Sequence, residues 1–119
     1  MNTQQVFDKI VKGLASQGWR KSVDENMDCK YRYEGLKCAA GWLIPDELYK
    51  PEIEGCRFSV LISQNALTAA DLGITSQRDL GLICRCQEAH DFSRGGDDMV
   101  DRFQRIADTF KLKFSEQLP

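Results

Sequence analysis

The side chains with the most chemical potential in this chain are five cysteines and one histidine: Cys29, Cys38, Cys56, Cys84, Cys86 and His90. Cys86 and His90 are four residues apart, which on a helix puts both on one face, and Cys29 and Cys38 would complete the four soft ligands of a tetrahedral zinc site. Cys84 falls outside that set if its stretch is helical, because residues i and i+2 point about 200° apart. No C-x-x-C knuckle is present. Small buried thiols are therefore the leading reading of the cysteines, with zinc as an alternative. Cys29 and Cys38 also bracket a hairpin and could face each other across it. An odd number of cysteines and a reducing compartment argue against a structural bridge there. A thiol nucleophile would have to take its base from His90, the only histidine, and His90-Asp91 reads first as the polar last turn of a helix. No catalytic residue and no cofactor is expected, and a thiol-dependent enzyme is the second alternative.

Other constellations reduce to folding roles. Asp97, Asp98 and Asp101 crowd one helix start, where carboxylates favour the dipole and cap free N–H groups. Gly95-Gly96 lacks the lysine and spacing of a phosphate loop. Nucleic acid would be met by Lys30, Arg32 and Lys37 with Tyr31 and Tyr33 as stacking faces. Strand alternation, however, turns the tyrosines away from Lys30 and Arg32. Sixteen Lys and Arg against eighteen Asp and Glu give a net charge of -2, so no global field favours a phosphate backbone. A protein partner is expected instead. The candidate contact residues are Trp42, Leu43 and Tyr49 around the Pro45 turn, with Lys30 and Arg32 beside them.

The elements that must position these residues follow from periodicity. Thr3 to Ser16 places Val6, Phe7, Ile10, Val11 and Leu14 on one helical face, with Asn2 or Thr3 as cap and Gly18 as terminator. From Cys29 the period becomes two, and Glu34-Gly35 marks the turn of a hairpin spanning residues 29–38. Ala39 to Leu43 reads as a short buried helix, and Pro45-Asp46-Glu47 as a first helical turn. A longer helix is expected from near Ser59, burying Leu61, Ile62 and Leu67. Thr68 to Asp71 and Ser76 to Asp79 are capping boxes, the second starting a helix to about Asp91 with Leu80, Ile83, Cys84 and Gln87 along its buried stripe. After Ser93-Arg94-Gly95-Gly96, a last helix keeps Val100, Phe103, Ile106, Ala107 and Phe110 in register.

With 119 residues, 42% apolar and 29% charged, the chain has the size and make-up of one globular domain, residues 1–119. A chain this long buries roughly two thirds of its unfolded surface, so neither metal nor disulfide is needed to hold it. The expected fold class is α+β: a mostly helical domain of about four to five helices with one small hairpin. No apolar run approaches the ~20 residues of a membrane span. Met1 to Gln5 has neither a basic nor an apolar leader region, so a cytoplasmic location is expected.

One segment carries a resemblance. Cys29-Lys30-Tyr31-Arg32, then Gly35-Leu36-Lys37-Cys38-Ala39-Ala40-Gly41-Trp42-Leu43-Ile44-Pro45-Asp46-Glu47-Leu48-Tyr49 and Glu54-Gly55, resembles the core of a recurring family of small bacteriophage and prophage proteins. Similarity extends through Leu82, Gln87 to Asp91, and the Phe103, Ile106, Ala107 and Leu112 stripe. The resemblance implies a phage or prophage origin and assigns no catalytic or binding residue. Together with the missing catalytic motif, it implies a non-enzymatic accessory protein that binds a host protein, an anti-CRISPR-like inhibitor of host defence being one such case.

Overall fold

Asn2 opens the first helix, α1 (Thr3–Ser16), by a reciprocal cap: its side chain accepts from Gln5 N at 2.8 Å, and Gln5 Oε1 accepts from Asn2 N at 2.8 Å. Val6, Phe7, Ile10, Val11 and Leu14 are all buried, as their spacing predicts, and Gly18 ends the helix in the left-handed conformation. This apolar face of α1 packs against α3 (Gln77–Phe92) and the helical turn Ala40–Leu43, while α4 (Gly96–Phe110) packs on α3 and meets α1 through the Phe7–Phe103 ring pair, centres 6.0 Å apart.

The computed structural model describes residues 1–115, and in these the four α-helices and one two-stranded antiparallel sheet make an α+β fold dominated by helix. The sheet pairs β1 (Arg32–Tyr33) with β2 (Leu36–Lys37), Tyr33 opposite Leu36. Glu34 and Gly35 both have positive φ, 49° and 83°, which is the primed turn that matches strand twist and for which glycine is suited. The hairpin is shorter than the expected 29–38. Cys29 instead forms an isolated bridge with Val23.

Three expectations need correction. The helix near Ser59 is short: α2 spans Phe58–Ser63, Asn65 turns left-handed at φ 58°, and Leu67 is buried from the turn that follows. On α3 the buried stripe is Leu82, Ile83, Cys86, Ala89 and His90, rotated from the one expected, so Leu80, Cys84 and Gln87 are only half-buried. On α4, Met99 takes the core position expected of Val100. The capping signals near 68–71 and 76–79 differ in outcome. Thr68 and Asp71 cap each other reciprocally. Ser76 Oγ accepts from Asp79 N at 3.2 Å, but the buried Asp79 carboxylate accepts from Thr3 Oγ1 at 2.6 Å, so this acid ties α3 to α1.

Phe7, Leu14, Leu43, Leu82, Ile83, Met99 and Phe103 fill one continuous core, and Trp19 closes it against Phe103, ring centres 5.5 Å apart. The radius of gyration, 13.2 Å, matches the about 13.5 Å expected of one compact unit of this length. Among the described residues, no helix is long and apolar enough to cross a membrane.

Candidate functional site

The 29–55 segment folds into a polar staple. Glu54, three residues after the Pro51–Ile53 turn begins, points its carboxylate at the start of the hairpin. It accepts from Tyr31 N at 2.8 Å, Arg32 N at 3.1 Å and Tyr49 OH at 2.7 Å. Arg32 reaches the opposite way, donating to Ile44 O at 2.8 Å, pairing with Asp46 at 2.9 Å and lying 4.6 Å over the Tyr49 ring. Gly41 is where two backbones meet: a Cβ there would stand 2.3 Å from Tyr31 O. Trp42 presses on Gly13 of α1 with Lys37 Nζ 4.7 Å above its ring. The motif residues thus lock the 29–54 region onto α1.

This placement decides the fate of the expected contact residues. Leu43 is 1% exposed and belongs to the core, so it is not a surface contact, because the turn that carries it aims its side chain beneath α1. Trp42, Tyr49 and Arg32 are half-buried and engaged with one another's neighbours. Lys30 stands 3.7 Å from Asp24, and Lys37 lies 4.0 Å from Asp46, so each hairpin cation already has a carboxylate beside it.

A cleft lies between the start of the hairpin, the 55–59 segment and α3. It has a volume of about 560 Å³, and Cys29, Cys38, Cys56 and Cys84 all line it, four of the five cysteines brought from four separate parts of the chain. One wall is a single face of α3: Cys84, Gln87, Glu88 and Asp91, spaced i, i+3, i+4, i+7. Phe58 and Tyr31 supply apolar floor, Lys30 and Arg57 opposing cations, and Phe92, 66% exposed, stands at the rim. Cys86 points away into the core, so the set Cys29, Cys38, Cys86 and His90 does not converge. Among the described residues, the group with metal-ligating potential is Cys29, His90 and Asp91.

His90 is fully buried at the end of α3. Ser22 N–H donates to its Nε2 at 2.9 Å, so the ring proton sits on Nδ1, which donates to Asp91 Oδ1 at 2.8 Å. Gln87 Nε2 donates to the same Asp91 oxygen at 2.9 Å, while Gln87 Oε1 accepts from Ala40 N at 2.9 Å. Neither ring nitrogen is left to take a proton from a thiol. Burial, and then the neighbouring Asp91 charge and hydrogen bond, push the Cys29 thiol up to about 11. Burial pushes Cys38 up to about 12 and raises Cys86 and Cys84. These are thiols held protonated, the opposite of an activated nucleophile.

Sequence reasoning passed over Asp91, Gln87 and Phe92 as site residues. The i, i+3, i+4, i+7 run Cys84-Gln87-Glu88-Asp91 was the signal available, a polar helix face interrupted by one cysteine. No protein-family model, no curated protein and no solved structure matches this chain.

Proposed function

We propose that this chain is a non-enzymatic accessory protein of phage or prophage origin that acts in the host cytoplasm by binding a host protein, as an anti-CRISPR-like inhibitor of host defence would. The observation that carries the reading is Phe92. A large aromatic side chain left 66% exposed in the lining of a cleft that also carries the cations Lys30 and Arg57 and the acids Glu88 and Asp91 is an anchor suited to a protein surface. Three further features support it. The resemblance of the 29–55 segment points to phage. The raised Cys29 and Cys38 thiols and the doubly engaged His90 argue against a thiol nucleophile with a histidine base at this cleft. The carboxylates beside Lys30, Arg32 and Lys37 weaken the hairpin as a phosphate clamp.

The test is affinity capture of the tagged protein from infected or lysogenic host cells, beside a Phe92→Ala variant. Retention of a defined host protein by the parent and its loss in the variant support the reading. No retained protein, with substrate turnover by the pure chain, overturns it.

A further inference from the structure

At the wall of the cleft the Cys29 sulfur, an Asp91 carboxylate oxygen and a His90 ring nitrogen lie within 4.8 Å of one another. The three are not equivalent. A cation on His90 Nδ1 would force the ring proton to Nε2, where it would oppose the Ser22 N–H donor 2.9 Å away. His90 is therefore a group that holds the carboxylate, in the way outer partners orient ligands in metal sites. Gln87 does the same. Both donors land on Oδ1 of Asp91, at 2.8 and 2.9 Å, which fixes the carboxylate and leaves Oδ2 for the cleft. The Asp91 side chain is 31% exposed, and the half-buried Cys29 sulfur lies within 4.8 Å of its carboxylate. A thiol and a carboxylate thus face one space, and the thiol becomes a second anionic ligand once its proton leaves.

We propose that Cys29 and Asp91 form a binding site for a thiophilic divalent cation of the Zn²⁺ class, with cleft water filling the remaining positions. The ion replaces the thiol proton. The Cys29 S–H bond breaks, its proton goes to bulk water, and the thiolate sulfur and Asp91 Oδ2 bind the cation, with no change of oxidation state. The dyad's charge moves from minus one to zero, beside the Lys21 ammonium, which donates to the Asp91 main-chain oxygen at 2.8 Å. The donors, one thiolate and one carboxylate, suit a tetrahedral d¹⁰ ion better than Mg²⁺ or Ca²⁺. The open cleft provides the entry path.

Full-length, fully reduced protein is titrated with Cd²⁺, read by the ultraviolet thiolate-to-cadmium absorption, with Zn²⁺ as competitor and a pH indicator for released protons. One cation, one thiolate and one proton per chain are expected. Cys29→Ser abolishes the band, and Asp91→Asn lowers affinity about tenfold or more, whereas Cys56→Ser and Cys84→Ser leave it in place. Asp91→Asn still accepts from His90 through its carbonyl oxygen, so it carries the test if Cys29→Ser does not fold. The proposal is overturned by a lack of saturable binding, by a band that survives Cys29→Ser, by unchanged affinity in Asp91→Asn, or by a band lost with Cys56 or Cys84.

Discussion

Replacing Glu54 with alanine removes the acceptor for three donors at once: Tyr31 N, Arg32 N and Tyr49 OH. Among the described hydrogen bonds, Glu54 is the acceptor of both backbone N–H groups. Each orphaned N–H in this half-buried setting costs about 1 to 1.5 kcal/mol, and the phenol, which can turn to water, about 0.5, for a loss near 3 kcal/mol. A domain of this length loses roughly 3 to 5 °C of Tm per kcal/mol, so the midpoint should fall by about 10 to 15 °C. Thermal unfolding followed by circular dichroism measures this, and urea unfolding should give an unchanged m value. Glu52→Ala is the matched control. It removes the same charge from an exposed site two residues away and should stay within about 0.5 kcal/mol. A Glu54→Ala loss under about 1 kcal/mol, or an equal loss in Glu52→Ala, would show that the staple does not hold the hairpin.

Gly41→Ala should destabilise by about 2 to 4 kcal/mol, since the new methyl meets the Tyr31 carbonyl at 2.3 Å and backbone cannot step aside. Gly13→Ala should instead eject the Trp42 ring, which lies 2.2 Å from the new Cβ, and red-shift the tryptophan fluorescence; an unchanged spectrum with unchanged Tm refutes the packing. Alkylation of the native, reduced protein at neutral pH should label the exposed Cys56 first and leave the other four slow. The sign follows from the raised values: a thiol with its midpoint at about 12, as for Cys38, gains thiolate only as pH climbs toward that value, and its burial slows it further. Mass-spectrometric mapping that found Cys38 or Cys86 labelled early would contradict it.

The local part of the fold was legible because local chemistry determines it. Asn2 with Gln5, Thr68 with Asp71, and Glu34-Gly35 each set their own cap or turn without help from the rest of the chain. The stripe of α3 was misread by one position, while on α4 Phe103, Ile106 and Ala107 are buried as expected and Val100 gives way to Met99, because the burial of a helix depends on what lies on each side. α3 is flanked by α1 and α4, which pull Leu82, Cys86 and His90 inward and leave Cys84 and Gln87 to the cleft. Asp79 was readable as a cap but not as the partner of Thr3, 76 residues away. The candidate site was half legible for the same reason. Cys29 and His90 stood out by residue type, whereas their meeting at Asp91, the loss of Leu43 to the core and the exposure of Phe92 are products of long-range packing.

The central claim is that the cleft rimmed by Phe92 binds a host protein. Quantitative capture from infected cells, comparing the parent chain with Phe92→Ala and with Lys9→Ala, exposed on α1 and outside the cleft lining, tests it most directly. Phe92→Ala should fold with stability within about 0.5 kcal/mol of the parent. It should lose the partner by about 2 kcal/mol or more, roughly thirtyfold, as truncation of an aromatic anchor does. Lys9→Ala should retain it. A partner held equally by all three proteins, or by none, would contradict the account.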